Sequence, residues 1–116
     1  MKIAVATEGG QVAEHFGHAP QYTIFTITEG KIKDQMVIEN PGHKPGFLPR
    51  YLAERGITCI IAGGMGSRAR QLFEENNIAV VTGAKGLVKD VAAAYLSGRQ
   101  ETGADLCHHA GGEEDN

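Results

Sequence analysis

The stretch ITCIIAGGMGSRARQLF, residues 57–73, decides the fold class of this chain. Its apolar run over residues 57–62 predicts a buried strand, and the glycine-rich turn that follows leads into a helix. Ala69, Leu72 and Phe73 recur at helical spacing and therefore lie on one face of that helix. A buried strand that leads through a short turn into an amphipathic helix is a building unit of α/β sheets.

Other strands are predicted on both sides of this unit. Short apolar runs over residues 2–6 and 78–81 indicate buried strands. Residues 22–28 and 31–38 are rich in strand-forming side chains and are joined by Glu29-Gly30, a two-residue connection typical of a β-hairpin. Residues 7–21 contain three glycines and a proline, and we expect them to form a long loop.

Two more helices complete the pattern. Leu48, Tyr51 and Leu52 repeat at helical spacing, and Gly56 is expected to end that helix. The last helix is expected to stop at Gly98. Its inward face is predicted to carry Leu87 or Val88, Val91, Ala92 and Tyr95.

The order of elements predicts one α/β domain. The chain begins with a strand and a hairpin, and three helices then alternate with two more strands. This order predicts a three-layer domain, in which helices cover both faces of a mixed sheet of about five strands. We place this domain at residues 1–98. Residues 99–116 have no periodicity and are expected to be a flexible C-terminal tail.

Composition excludes several classes of protein. The 116 residues carry a net charge of −3 without a lysine or arginine cluster, so nucleic acid is not expected as a partner. No apolar run approaches the roughly 18 residues that a membrane span needs. The start of the chain has no signal-peptide pattern, and the cytoplasm is the expected location. Two cysteines do not make a disulfide scaffold, and Cys59 is expected in the core.

Glycine-bearing turns follow all three predicted parallel strands, at residues 7–10, 63–68 and 82–86. Ligands of open α/β sheets bind beyond the carboxyl ends of such strands, and helix N-termini there suit an anion. We therefore expect an anion-facing turn at Gly64, Gly66, Ser67 and Arg68. Residues 64–69 also match the G-x-G-x-x-A dinucleotide pattern, but the next strand ends without the acidic residue that would hold a ribose.

Four of the five histidines and one of the two cysteines fall in two patches. His15 and His18 flank Phe16 and Gly17 in the first loop, and Cys107, His108 and His109 lie in the tail. Imidazole and thiolate are ligands of soft and borderline metals. Spacing alone leaves two interpretations of His15 and His18, either a ligand pair at the functional edge of the sheet or two solvent-exposed side chains. His43, between two prolines, is interpreted as a surface residue.

Nucleophilic catalysis finds little support. Ser67 lies in a turn and Cys107 in the tail, and neither has an evident base and orienting acid. We therefore expect a binding protein rather than an enzyme. The alternative is a small enzyme or sensor that binds a phosphorylated metabolite or nucleotide at the glycine-rich strand ends.

Several segments together resemble the dinitrogenase iron–molybdenum cofactor biosynthesis family, the NifX-like domain also found at the C-terminus of NifB. They are the opening residues 2–7, the VAEHFGHA segment of residues 12–19, the hairpin from Tyr22, the turn of residues 60–69 and residues 72–83. The likeness covers roughly residues 1–97.

The resemblance implies a ribonuclease H-like α/β fold without nuclease activity, and a role in binding or carrying an iron–sulfur or iron–molybdenum type cluster or its precursor. By similarity, His15, Phe16, Gly17, His18 and the turn from Gly63 to Arg68 would face the cluster. Cys107, His108 and His109 resemble the tails of some stand-alone members and are candidate further metal ligands. Cluster donor and acceptor proteins would be the partners. Stand-alone members also occur outside nitrogen fixation, so the identity of the cargo stays open.

Overall fold

A six-stranded mixed sheet lies at the centre of the protein. The computed structural model describes residues 1–42 and 46–102, with side chains described to residue 98. The strands are β1 (Lys2–Glu8), β2 (Gln11–Val12), β3 (Gln21–Thr28), β4 (Lys31–Glu39), β5 (Ile57–Ile61) and β6 (Ala79–Val81). The helices are α1 (Phe47–Glu54), α2 (Ser67–Glu75) and α3 (Val88–Thr102).

The sheet combines a parallel half with an antiparallel half. Its strand order is β4-β3-β1-β5-β6, and the short β2 pairs with β1 off this path. β1 is parallel to β5, and β5 is parallel to β6. The carboxyl ends of these three strands therefore meet at one edge, as the sequence predicted. β3 and β4 continue the sheet as antiparallel neighbours on the other side of β1.

The predicted hairpin between β3 and β4 is confirmed. Glu29 and Gly30 both have positive φ, 54° and 78°, which is the backbone of a type I′ turn. This turn twists in the same sense as the strands that it connects, so two residues suffice to reverse the chain.

Two separate cores confirm the three-layer arrangement. Even-numbered residues of β1 face α1 and α2, and odd-numbered residues face α3, because strand side chains alternate between the two faces of a sheet. The first core includes Ala4, Ala6, Tyr22, Ile24, Leu52 and Phe73. The second includes Ile3, Val5, Phe25, Cys59, Ala92 and Tyr95, which confirms Cys59 as a core residue.

Two sequence predictions are wrong, and one open alternative is decided. Residues 7–21 are not one long loop, because Gly9 and Gly10, with φ of 61° and 80°, turn β2 back onto β1. Of Leu87 and Val88, Val88 is the buried residue, whereas Leu87 is 53% exposed, lies before α3 begins and bridges Gln11 through its backbone. Gly98 does not stop α3, which continues to Thr102; a glycine inside a helix costs only about 1 kcal/mol.

None of the helices described over residues 1–42 and 46–102 is long and apolar enough to cross a membrane.

Candidate functional site

The segment of residues 13–18, called here the histidine loop, is hydrogen-bonded to the sheet edge. The amide of Ala13 donates to the carbonyl of Ala6 on β1 at 2.8 Å. The amide of Gly63 donates to the carbonyl of Ala13 at 3.0 Å, and the amide of Phe16 donates to the carbonyl of Gly64 at 2.9 Å. The loop is thus fixed between the ends of β1 and β5 by its backbone.

Gly63 and Gly64 permit this close approach. A Cβ atom on Gly63 would lie 2.8 Å from the carbonyl oxygen of Glu14, and one on Gly64 would lie 3.2 Å from the same oxygen. Real Cβ contacts are longer than the first of these distances, so an alanine at Gly63 would push the loop away. The Gly63 amide is already bonded to Ala13, so in this conformation the residue shapes the site instead of donating to an anion.

Phe16 anchors the histidine loop in the first core. Its ring is 9% exposed and packs edge-on against Phe73, with ring centres 5.0 Å apart. The hydroxyl of buried Tyr22 donates to the carbonyl of Phe16 at 3.3 Å. Burial raises the pKa of the Tyr22 phenol well above its ordinary value, so this donor stays protonated. Phe16 thus holds the loop in place; its predicted contact with a cofactor stays a prediction.

His15 and His18 project from this anchored loop into solvent. Both are exposed, and their ring centres are 6.0 Å apart with an interplanar angle of 58°. The segment Phe16–His18 forms a single 3₁₀ turn, in which the amide of His18 donates to the carbonyl of His15 at 3.1 Å. A transition-metal ion about 2.1 Å from a nitrogen of each ring would have the two ring centres roughly 5–6.5 Å apart. The observed ring-centre distance lies within this range, as a shared ion would require.

A polar cleft of about 450 Å³ lies between the histidine loop and the turn that follows β6. Glu14 and His15 line one wall, and Gly83, Lys85 and Gly86 line the other. Lys85 is exposed and brings a positive charge to the cleft. Lys85 was not among the predicted site residues, although its place in a glycine-bearing turn after a predicted parallel strand is a signal for this position.

The N-terminal turn of α2 lies on another side of the histidine loop. Gly66 and Arg68 line an apolar pocket of about 350 Å³ together with Phe16 and Gly17, whereas Gly63 lines the polar cleft with His15. Gly66 caps α2 without a side-chain hydrogen bond, and Ser67 and Arg68 are exposed. Of the turn residues predicted to face a cofactor, Gly66 and Arg68 therefore line one cavity and Gly63 lines the other.

Cys107, His108 and His109 lie outside the described residues, and so does His43. Within residues 1–42 and 46–102, no three histidine, cysteine, aspartate or glutamate side chains are grouped so that they could hold a metal ion. The described part of the site thus offers a pair of imidazoles.

The fold and the paired imidazoles define a small α/β domain with a candidate binding site at the carboxyl edge of its parallel strands. A family model described as dinitrogenase iron–molybdenum cofactor matches residues 1–98. This chain belongs to that family. Membership supports a role in the biosynthesis of the iron–molybdenum cofactor, in a family associated with cofactor-binding or carrier proteins.

Two other proteins are similar to this chain along most of its length. An uncharacterized protein of Methanocaldococcus jannaschii is 28% identical over 106 residues, which cover 87% of this chain and 90% of the relative. The crystal structure of PH0822 superposes with a TM-score of 0.78 at 31% identity, over 84% of this chain and 90% of the other.

Two more distant structures share the fold. One is a dinitrogenase candidate from Methanococcus jannaschii, with a TM-score of 0.70 at 18% identity, over 85% of this chain and 89% of that one. The other is a NifB candidate from Thermotoga, with a TM-score of 0.66 at 21% identity, over 84% and 89%. The ribonuclease H-like label stays a prediction.

Proposed function

We propose that this protein binds an iron–sulfur or iron–molybdenum type cluster, or its precursor, as transient cargo, and that His15 and His18 are its ligands. The observation that carries the proposal is the placement of two exposed imidazoles 6.0 Å apart on a loop that is otherwise fixed. Because backbone hydrogen bonds and the buried Phe16 ring hold the loop, the pair is positioned before any cargo arrives.

Two imidazoles suit a carrier better than a permanent holder. Clusters that remain in a protein are usually held by four side chains, mostly thiolates. A pair of neutral imidazoles leaves most of the coordination sphere of the cluster to its own sulfides and to a donor or acceptor protein. The cargo could then leave without unfolding the domain, which is consistent with a binding protein and requires no catalytic group.

The charges around the site suit an anionic cargo approaching from solvent. The whole chain carries a net charge of −3, but Lys85 lies across the polar cleft from His15 and Arg68 lies in the apolar pocket behind Gly17. Glu14 is the acidic residue in the cleft wall. We propose that the cluster sits over the histidine pair at the mouth of the cleft, with Lys85 offsetting part of its negative charge.

Anaerobic loading tests the proposal. The protein is incubated with ferrous iron and sulfide, with molybdate added in a second arm, and is desalted before iron content, optical spectra and EPR spectra are measured. We expect the parent to retain iron and a cluster spectrum, and His15→Ala/His18→Ala to bind at least roughly tenfold more weakly.

His43→Ala is the matched control, because it removes one imidazole elsewhere in the sequence. It should retain the parent's iron. Equal retention by the parent and the double variant would contradict the ligand assignment, and absence of iron from the parent in both arms would contradict the cluster-binding function itself.

A further inference from the structure

We infer that the apolar pocket is a second binding site, for a small organic anion with a flat apolar body. The pocket lies behind Phe16 and Gly17, between the histidine loop, α1 and the start of α2. Its volume of about 350 Å³ falls at the lower end of the range of small-molecule sites. The inference does not depend on cluster binding by the histidine pair.

The walls of the pocket are mostly hydrocarbon and aromatic. They include Phe16, Tyr22, Leu48, Pro49, Ala69 and Leu72. Phe16 and Tyr22 are held at a ring-centre distance of 5.7 Å and an interplanar angle of 47°, and both are anchored in the core. An apolar ligand would replace water against these surfaces, which is the favourable part of binding in such a pocket.

Two of the polar groups in the pocket wall already have partners inside the protein. The side-chain amide of Asn40 donates to the carbonyl of Ala19 at 2.8 Å and accepts from the amide of Gly42 at 2.9 Å. The Tyr22 hydroxyl donates to the carbonyl of Phe16. Neither side chain needs a ligand to complete its hydrogen bonding.

Arg68 differs from these groups. It is exposed at the rim of the pocket, and among the described residues no hydrogen bond or ion pair engages its guanidinium. A guanidinium offers a planar fork of donors that matches a carboxylate, sulfonate or phosphate group. Apolar walls with the unengaged guanidinium of Arg68 beside them favour a ligand that has an apolar body and an anionic group.

Two dyes of similar shape separate the roles of the walls and of the charge. 8-Anilinonaphthalene-1-sulfonate carries an anionic group, and N-phenyl-1-naphthylamine has the same aromatic body without it. We expect both to bind the parent saturably, in a fluorescence titration, at one site per chain. Arg68→Gln should weaken the sulfonate about tenfold and leave the uncharged dye unchanged.

The controls are matched to each substitution. Arg50→Gln removes an exposed arginine of α1 that does not line the pocket and should leave both affinities unchanged. Ala69→Leu lengthens a side chain in the pocket wall and should weaken both dyes. His15→Ala/His18→Ala should bind both dyes like the parent, which separates this site from the proposed cluster site.

Amide chemical shifts of the unsubstituted protein locate the site without relying on any variant. Titration with the sulfonate should move the amides of Gly17, Ala69 and Leu72 most. The inference would be overturned by shifts centred elsewhere, by non-saturable fluorescence, or by an Arg68→Gln variant that keeps parental affinity for the sulfonate.

Discussion

At the scale of single residues, the position of the histidine pair depends on residues that do not touch a ligand. Gly63 has no side chain, so the carbonyl of Glu14 can approach it closely, and Phe16 fixes the loop from the core side. The sequence predicted His15 and His18 as a candidate ligand pair at the carboxyl edge of the parallel strands, and both side chains are exposed there. The part that Gly63 and Phe16 play in holding the loop could not be predicted, because this packing joins segments about fifty residues apart.

Gly63→Ala tests this packing. The added Cβ would lie 2.8 Å from the Glu14 carbonyl oxygen, so the loop must shift, and we expect a loss of about 1–3 kcal/mol in the free energy of unfolding, measured in urea. Gly17→Ala is the control, because nothing lies within 4 Å of its added Cβ and its φ is not positive. Equal stability of the two variants would show that the loop does not pack against Gly63.

Tyr22 gives the stability a dependence on alkaline pH. Its pKa is raised by burial above the ordinary value of 10.0, so the folded state keeps the phenol proton after the unfolded chain has lost it. The contribution to stability is complete below pH 10.0 and falls as the pH rises above that value, by up to about 1.4 kcal/mol per unit.

The free energies of unfolding of the parent and of Tyr22→Phe, compared at two pH values, check the direction of this pH dependence. At about pH 8 the variant should be less stable by roughly 0.5–1.5 kcal/mol, since the Phe16 carbonyl loses its donor. The difference in the free energy of unfolding should shrink at about pH 11, because the folded parent then keeps a phenol proton that its unfolded chain has lost. A difference that stays constant over this range in urea unfolding would contradict the assignment.

At the scale of elements, the βα units and the hairpin were predictable because each depends on local pattern. The type I′ turn follows from Glu29-Gly30, and α2 follows from apolar residues at helical spacing. The short β2 was not predicted, since its two residues pair with β1 only after Gly9 and Gly10 reverse the chain. The end of α3 was also missed, because Gly98 does not adopt the left-handed backbone that usually ends a helix.

A buried hydroxyl pair joins β1 to β3 and gives a prediction for these elements. The Thr7 hydroxyl donates to the carbonyl of Val5 at 2.7 Å, so the Thr23 hydroxyl must be the donor in their shared bond of 2.8 Å. Thr7→Val would leave a buried donor on Thr23 without its acceptor, at a cost of about 1–3 kcal/mol.

The double variant Thr7→Val/Thr23→Val has no orphaned hydroxyl and nearly the same shape. We therefore expect it to be more stable than Thr7→Val alone when both are compared in urea. A double variant at least as destabilised as the sum of the two single variants would contradict the hydrogen bond between the two hydroxyls.

At the scale of the whole molecule, the sequence predicted the edge of the sheet at which the candidate site lies. The three parallel strands end there, and the histidine loop lies on the same edge. The division of that edge into a polar cleft and an apolar pocket could not be predicted, because it depends on how the loop crosses between β5 and α2. Lys85 could not be predicted to line the cleft for a similar reason, because the turn after β6 and the histidine loop are far apart in the sequence.

Pulsed EPR of the anaerobically loaded protein tests the central claim most directly, because it detects nitrogen bound to the cluster. With isotope-labelled histidine, the account predicts couplings from two imidazole nitrogens in the parent and from one in each of His15→Ala and His18→Ala. His43→Ala should give the parental spectrum. A parent cluster without histidine nitrogen coupling, or with coupling that persists in His15→Ala/His18→Ala, would contradict the account.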